Sequence, residues 1–307
     1  MALIAAVAIG LVISRTVTGP LVRLTSEVGE ISAGYLDKRT EVGAAGEVGT
    51  LVDAFNQMLD RIASTYRSQR ELLANIAHEL RTPLASIQGY AQALRDGVIQ
   101  DEDARNRALD TITDEARRIT ELVEQILQLS RLESGQLPIH FAPTVIGEVL
   151  ERVERQFAPI AIEKGVRLVI DRDTEMQAVI DEDLIARALG NLTANAIRHT
   201  DAGGAVEVRA SRVSIPGRPA GIRLTVRDGG EGISDEQLER IFERFYRVGD
   251  RSTQHDSRNF GLGLAIVHEI VSRHGGEMSV ASTPGQGTTF TIDLPPRQDN
   301  GSQGQRT

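Results

Sequence analysis

The chain has 307 residues, enough for two or more domains, and its lack of cysteine excludes a disulfide framework or a thiolate metal site. Hydrophobic residues make up 40%, as in soluble globular proteins, and the formal net charge of -9 argues against broad nucleic-acid binding. Because aromatic residues are few and tryptophan is absent, base-stacking platforms are also disfavoured.

Residues 2–13 form an unbroken apolar run, and the first positive charge, Arg15, follows it. The run is shorter than the about 20 residues that span a bilayer, and a signal peptide would carry positive charge before it. The pattern favours the cytoplasmic end of a transmembrane helix over residues 1–13, with its start outside this chain. A short buried core helix is the alternative.

Residues 14–66 contain two short amphipathic patterns. Apolar residues recur in steps of three and four after Pro20 and again after Glu47, and Gly34 closes the first run. Two such helices cannot bury their stripes alone, so a dimeric four-helix bundle is predicted. The second stripe consists of Val48, Leu51, Phe55, Met58 and Ile62.

Residues 67–134 predict two long antiparallel helices, the second from about Asp103 to Glu133, and again a four-helix bundle across a dimer. His78 lies about 200° round the first helix from the apolar Ile76, which places its imidazole on the exposed face. Pro83 should bend that helix. The first stripe consists of Leu73, Ile76, Leu80, Leu84, Ile87, Ala91 and Leu94.

His78 has three interpretations. A solvated surface histidine is the plainest, and a zinc helix fails because Thr82 occupies the fifth position of the His-Glu-x-x-His pattern. The third is a nucleophile, because a neutral imidazole with an ordinary pKa of about 6.5 can attack phosphorus. That interpretation requires a phosphoryl donor site elsewhere in the chain.

Residues 144–296, after a linker at 135–143, mix helical and strand patterns and predict an α+β sandwich with helices on one face of a mixed sheet. The polar tail, 297–307, is predicted to be disordered. Helices are predicted over 144–164, 181–198 and 261–274. Strands are predicted over 166–170, 205–213, 222–227, 277–281 and 288–294.

Four stretches of this region point to a nucleotide site. Asn191 and Asn195 lie one helical turn apart, and Asp228 ends a strand before glycines. Glycines opening a helix expose N–H groups that favour phosphate, although none of the stretches is a Walker A loop. Each stretch alone is weak evidence for a nucleotide site, but the four stretches in this order are a specific signal for one. Their other candidate residues are Gly230, Gly232, Gly261, Gly263, Gly285, Gly287 and Thr288.

In this order the segments closely resemble those of the bacterial sensor histidine kinases of two-component signalling. Residues 14–66 resemble the HAMP signal relay of bacterial receptors. The matching motifs are His78–Leu84 for the H box, Asn191–Asn195 for the N box, Asp228–Gly232 for the G1 box, Phe242–Phe245 for the F box, Gly261–Gly263 for the G2 box and Gly285–Thr288 for the G3 box.

The resemblance implies a multidomain protein with helical dimeric bundles followed by the ATPase fold of histidine kinases, Hsp90 and gyrase (Bergerat type). It implies that ATP and Mg²⁺ are used, with Asp228 holding the adenine amino group and Asn195 ligating the metal. Asn191 and Arg198 are implied to lie near the phosphates. The γ-phosphate would pass to His78, with Glu79 as the base.

The implied partners are a second copy of the chain and a cognate response regulator, whose aspartate receives the phosphate. The implied location is the bacterial inner membrane, held through the N-terminal helix, with the catalytic part in the cytoplasm. Thr82 fits the family's phosphatase pattern, but its hydroxyl could equally bond the His78 carbonyl. Phosphorylation of His78 within one subunit and phosphorylation across the dimer are both open, because the outcome depends on the handedness of the loop at 96–102.

One departure from the family pattern concerns the glycine that usually precedes the G2 box, where this chain has Asn259 before Phe260. Asparagine tolerates positive φ better than most residues, so it can substitute. Two other functions remain open: a clamp ATPase of the same nucleotide fold, and a non-catalytic dimeric scaffold that binds nucleotide weakly.

Overall fold

The structure is a computed structural model that describes residues 1–14, 18–19, 22, 46–171, 175–213, 220–247 and 260–296. The chain divides into two compact units, Met1–Glu79 and Leu80–Thr307. The helix predicted after Pro20, the tail at 297–307 and Asn259 all lie outside the described residues, so the predictions made for them are not compared with structure.

The first unit contains helix α1, Ala2–Ile13, and the beginning of helix α2, Glu47–Arg95. None of the helices in the described ranges combines the length and the apolar character that a bilayer crossing requires. The buried residues of α2 in this unit are Val52, Leu59 and Ala63.

The apolar stripe predicted for the start of α2 is not the face that the chain buries. Leu51, Met58 and Ile62 are 49%, 47% and 37% exposed, whereas the next residues along, Val52, Leu59 and Ala63, are buried. The apolar residues of this segment form two neighbouring stripes along the helix, and periodicity alone does not show which stripe packs against the rest of this chain. The predicted stripe remains available to another surface.

Helix α2 continues without interruption through Pro83, and helix α3, Glu102–Glu133, follows after the turn at Asp96–Gly97. Asp101 caps α3, because its carboxylate accepts a hydrogen bond of 2.8 Å from the Ala104 N–H. The predicted long helical pair is therefore present, with α3 beginning one residue earlier than expected.

The second unit also contains the predicted α+β region. Its five-stranded mixed sheet consists of β2 Arg167–Asp171, β4 Ala205–Val213, β5 Gly221–Asp228, β6 Glu277–Thr283 and β7 Gly287–Leu294. The strand order is β2-β4-β5-β7-β6, in which β2 and β4 are parallel and the other neighbours antiparallel. The principal helices are α4 Ile146–Lys164, α5 Glu182–His199 and α7 Gly263–Arg273. The predicted class is confirmed.

Three short elements were not predicted. Strands β1, Ala142–Val145, and β3, Gln177–Ile180, pair antiparallel in a separate two-stranded sheet, and helix α6 spans Asp235–Leu238. Strand β1 contains Pro143, the last residue of the predicted linker, and proline is tolerated at a sheet edge. The linker predicted over 135–143 therefore ends in a strand. Helix α7 begins at Gly263, two residues later than predicted.

Helix α3 packs into the same hydrophobic core as the sheet and its helices. Leu122, Leu129 and Leu132 are at most 3% exposed and belong to that core. The Arg118 guanidinium lies 5.3 Å from the ring centroid of Phe260, and Glu133 pairs with Arg244 at 2.5 Å. The end of α3 is thus fixed against the segments that flank residues 248–259 in the sequence.

Candidate functional site

His78 lies exposed on α2, as its position off the apolar stripe predicts, and Thr82 is exposed too, while Glu79 is half-buried. The stripe itself is only partly covered by this chain. Leu73 is 61% exposed and Leu84 is 46% exposed. These side chains are therefore open to a second surface, which is what the predicted bundle of two copies requires.

Asp228 is the buried carboxylate around which the second candidate site is built. It ends β5 and is 6% exposed. Its Oδ1 accepts hydrogen bonds from the Gly230 N–H at 2.9 Å and the Thr288 N–H at 3.2 Å. Among the described residues no group donates to Oδ2, so one carboxylate oxygen is left for a ligand.

The environment of Asp228 shifts its proton affinity. Burial raises the pKa of the Asp228 carboxyl above its ordinary value, while the two backbone N–H bonds and the nearby His199 act to lower it. Ionising the Asp228 carboxyl is therefore less favourable in the folded protein than in water. A hydrogen-bond donor in the site would stabilise the ionised form.

Three of the predicted glycines allow backbone segments near Asp228 to pack closely against one another. A Cβ on Gly287 would lie 2.0 Å from the Asp228 carbonyl oxygen, and one on Gly230 would lie 2.1 Å from the His199 carbonyl oxygen. Gly232 has φ +71°, and a Cβ there would meet the Thr283 carbonyl oxygen at 2.2 Å. No side chain fits at these positions, which explains the glycine pattern of both turns.

A cleft with about 660 Å³ of free space, partly open to solvent, lies beside Asp228. Of the residues predicted from sequence, the structure brings Asn195, Asp228, Gly232 and Thr288 together in its lining. Asn195 comes from α5, Asp228 and Gly232 from β5 and the turn after it, and Thr288 from β7. Residues distant in sequence therefore meet in one cavity.

The other residues predicted for this site do not line the cleft. Gly263 is the first residue of α7, and the cap residue Leu262 makes no side-chain hydrogen bond, so the first-turn N–H groups are not capped by that side chain. Asn191 and Arg198 lie half-buried on α5. Gly261 has φ +69° and its carbonyl accepts from the Phe245 N–H at 2.9 Å; Gly285 donates its N–H to the Glu231 carbonyl at 2.7 Å.

Sequence reasoning missed several lining residues. His199 follows Asn195 by four residues, which puts it one turn along the same helix face, so this helical spacing could have identified it. Glu231 lies inside the predicted glycine turn. The other missed residues are Ile233, Ile241, Tyr246, Arg247, Leu264 and Phe290, of which Ile233, Ile241, Tyr246 and Leu264 directly adjoin matched motifs.

Three segments of the chain match known families. Residues 180–298 match the family described as "Histidine kinase-, DNA gyrase B-, and HSP90-like ATPase". Residues 68–135 match the "His Kinase A (phospho-acceptor) domain", and residues 12–64 match the "HAMP domain". The first match contains the cleft and the second contains His78.

The chain is 32% identical over 287 residues to the signal transduction histidine-protein kinase BaeS of Escherichia coli (strain K12), covering 94% of this chain and 60% of BaeS. It spans less than two thirds of that relative. The histidine kinase AdeS of Acinetobacter baumannii has a TM-score of 0.57 at 27% identity, covering 72% of this chain and 98% of the AdeS structure. Full-length ShkA in complex with AMPPNP has a TM-score of 0.53 at 30% identity, covering 74% of this chain and 46% of ShkA.

Proposed function

Because the chain belongs to the bacterial sensor histidine kinases, we propose that it transfers the γ-phosphoryl group of ATP to His78 and then to an aspartate of a response regulator. The observation that carries the proposal is the pairing of an exposed histidine in a phospho-acceptor segment with a separate cleft built on Asp228. This cleft is the proposed phosphoryl donor site, which the nucleophile interpretation of His78 requires.

The free oxygen of Asp228 is the proposed contact of the adenine base. Its Oδ1 is held by two backbone N–H groups, so Oδ2 is oriented as an acceptor for an exocyclic amino group. The phosphates then lie toward α7, whose first turn begins at Gly263 and favours anions through its N–H groups and dipole. ShkA was solved with AMPPNP, an adenine nucleotide analogue, which supports an adenine nucleotide here.

Asn195 is the proposed protein ligand of Mg²⁺. The residue lines the cleft, and its amide oxygen is a hard donor of the kind that Mg²⁺ accepts. When bound, the metal neutralises phosphate charge. Asn191 and Arg198 are on the same helix and are proposed to contact phosphate.

The chemical step proposed for His78 is an in-line displacement. An imidazole nitrogen forms a bond to the γ-phosphorus as the bond from that phosphorus to the β–γ bridging oxygen breaks and ADP leaves. Glu79, the adjacent residue, takes the proton from the other ring nitrogen. In the second step a regulator carboxylate oxygen forms a bond to phosphorus as the N–P bond breaks, and Glu79 returns the proton to the imidazole, which restores neutral His78.

The chain is proposed to act as a homodimer at the bacterial inner membrane, with its catalytic part in the cytoplasm. The exposed apolar side chains of α2, including Leu73 and Leu84, provide the surface for the second copy. The membrane location rests on the HAMP match and on the apolar character of α1, Ala2–Ile13. Thr82 is proposed to support removal of phosphate from the regulator.

The test is incubation of the full chain with γ-labelled ATP and Mg²⁺. A histidine kinase retains acid-labile label on protein, whereas a clamp ATPase of the same fold releases phosphate and retains none. Asn195→Ala should lose Mg²⁺-dependent transfer while the chain remains folded. Wild-type protein that binds Mg-ATP but never becomes labelled would contradict the proposal and favour the non-catalytic alternative.

A further inference from the structure

Helix α3 contacts two short segments, 244–247 and 260–264, that contribute to the wall of the cleft. The first segment supplies Tyr246 and Arg247 to the lining, and the second supplies Leu264. None of the described residues that line the cleft belongs to α3 itself. Contacts with these two segments therefore give a helix outside the cleft a means of influencing its wall.

The first contact joins Arg118 of α3 to Phe260. The guanidinium carbon of Arg118 lies 5.3 Å from the centroid of the Phe260 ring, within the range of a cation–π interaction. The Arg118 side chain is 14% exposed and Phe260 is 1% exposed. Glu115, one turn earlier on α3, lies 3.7 Å from the same guanidinium. The contact is thus largely removed from water, where cation–π interactions are stronger than at the surface.

The second contact joins Glu133, the last residue of α3, to Arg244. The nearest oxygen and nitrogen atoms of the pair are 2.5 Å apart, and each side chain is 32% exposed. Burial raises the pKa of the Glu133 carboxyl, while Arg244 acts to lower it and Glu269 acts to raise it. An ion pair that is partly removed from water contributes more than one on an open surface.

Strained backbone lies next to both contacts. Phe245 has φ +63°, which is the only positive φ outside glycine in the part of the chain that the structure describes. Its N–H donates a hydrogen bond of 2.9 Å to the Gly261 carbonyl, and a Cβ on Gly261 would lie 2.6 Å from the Tyr246 carbonyl oxygen. Such a conformation persists only where the surrounding contacts hold it. Helix α3 contacts the residue directly before each partner of this hydrogen bond, namely Arg244 and Phe260.

We propose that Arg118 and Glu133 are positioning residues that brace the cleft wall from α3, so that nucleotide affinity depends on how α3 is seated. This inference rests on the proposed nucleotide function of the cleft. It adds a route by which the phospho-acceptor segment, 68–135, controls nucleotide binding. By thermodynamic linkage, a nucleotide that binds against this wall strengthens the seating of α3 to the same extent.

The free energies of the two contacts limit the expected effects, because losing a contact can change nucleotide affinity by no more than that contact contributes. Arg118→Met should weaken Mg-ATP binding about three- to tenfold, which corresponds to about 0.7–1.4 kcal/mol. Arg118→Lys keeps a cation for the Phe260 ring and should restore most of the affinity. Glu133→Gln keeps an acceptor for Arg244 and should weaken binding about twofold.

The test is an equilibrium titration of the full chain with Mg-ATP, with urea denaturation of each variant as a separate measure of folding. Arg117→Met is the matched control, because Arg117 is the neighbouring residue of α3, is 72% exposed and pairs with Asp114 of the same helix. It should bind Mg-ATP as the wild type does. In a Phe260→Leu background, which lacks the ring, Arg118→Met should cause no further loss of affinity.

Each other outcome counts against a specific statement. Unchanged Mg-ATP affinity in Arg118→Met and Glu133→Gln, even with lower urea midpoints, overturns the proposal, because the contacts then only stabilise the fold. An equal loss in Arg117→Met overturns it in favour of net charge. A loss that persists fully in the Phe260→Leu background overturns the route through that ring. If Arg118→Met does not fold, Glu133→Gln decides, since Glu133 lies outside the hydrophobic core.

Failure of this inference is distinguishable from failure of the proposed function. A wild-type chain that does not bind Mg-ATP contradicts the nucleotide function itself. A wild-type chain that binds Mg-ATP, together with variants that bind equally well, leaves that function standing and rejects only the brace from α3.

Discussion

The segment around His78 and the cleft around Asp228 are built in opposite ways. His78 is an exposed side chain on one continuous helix, and the motif on which its proposed role rests lies within the neighbouring residues His78–Leu84. Asp228 is buried, and its carboxylate is held by Gly230, two residues away, and by Thr288, 60 residues away. The His78 segment needs a side chain that stays exposed, whereas the Asp228 cleft needs residues that are distant in sequence to pack together.

The difference predicts different responses to mutation. A substitution at an exposed helical position changes chemistry with little effect on folding, whereas a substitution in a tightly packed turn changes folding and chemistry together. The variants below test that contrast, beginning with the largest expected effect.

His78→Gln should abolish formation of acid-labile phosphoprotein while Mg-ATP affinity and thermal stability stay within error of the wild type. The amide cannot act as the nucleophile, and the side chain is exposed, so no packing is lost. Labelling with γ-labelled ATP and a thermal melt measure the two parts.

His140→Gln is the matched control for His78→Gln. His140 is another exposed histidine, and among the described residues its side chain makes no hydrogen bond, while its backbone N–H donates to Asp181 Oδ2 at 2.9 Å. Its replacement should leave labelling unchanged. Label retained by His78→Gln, or lost in His140→Gln, would contradict the assignment of His78 as the phosphoryl acceptor.

Gly287→Ala should destabilise the second unit by about 3 kcal/mol or more, because the new Cβ would meet the Asp228 carbonyl at 2.0 Å and φ is +91°. Gly263→Ala is the control, since no atom lies within 4 Å of its Cβ and its φ is not positive. That variant should fold as well as the wild type and weaken ATP binding by crowding the phosphates. Chemical denaturation curves of similar midpoint for both variants would contradict the packing argument.

The contrast also explains what the sequence could predict. Helix periodicity placed His78 on the exposed face, and glycine-rich turns at strand ends pointed to Gly287 and Asp228, because both signals are local. The cleft wall contributed by Phe290 was missed, since only the pairing of β5 with β7, which sets Phe290 opposite Val226, brings it near Asp228. Strand β1 was missed because its pairing partner, β3, lies more than 30 residues away and both are four residues long.

The exposed apolar residues of α2 show a second limit of predicting burial from periodicity. Leu51 and Val52 are neighbours; the pattern assigned Leu51 to the stripe that a second copy would cover, and Val52 is the one that this chain itself buries. Which apolar stripe is buried depends on the surface that packs against the helix, and the pattern of apolar residues does not contain that information.

Asp228→Asn should weaken adenine nucleotide binding about ten- to hundredfold, because the amide presents a donor where the base also donates. Its Oδ1 still accepts from Gly230 and Thr288, so the turn should persist. Isothermal calorimetry with Mg-ATP measures the loss; undiminished affinity would contradict the proposed base contact.

The same variant should be at least as stable as the wild type near neutral pH. The folded pKa of Asp228 is raised, mainly by burial, so its contribution to stability is present below the unfolded pKa of about 3.9 and is lost as pH rises through the folded value. Asparagine avoids that loss. The stability advantage of Asp228→Asn should therefore disappear as the pH is lowered below about 4, which urea denaturation at several pH values would detect.

Thr82 gives the smallest expected effect on folding and a selective effect on function. In the described helices, several exposed threonines donate to the carbonyl four residues earlier, such as Thr65 to Arg61 at 2.8 Å and Thr113 to Leu109 at 2.8 Å. Thr82 makes no such side-chain bond with any described residue and is exposed. The alternative in which its hydroxyl only stabilises the turn before Pro83 therefore lacks its hydrogen bond.

Thr82→Ala should leave His78 labelling largely intact, change stability by less than about 0.5 kcal/mol and slow dephosphorylation of the regulator severalfold. The hydroxyl can donate to and accept from a water in line with an aspartyl-phosphate, and alanine cannot. Thr65→Ala, on the same helix, removes a backbone-bonded hydroxyl and should not change dephosphorylation. Both rates can be followed with the purified protein and its cognate regulator. Unchanged dephosphorylation in Thr82→Ala, together with a lower melting temperature or slower labelling, would establish the turn-stabilising role instead.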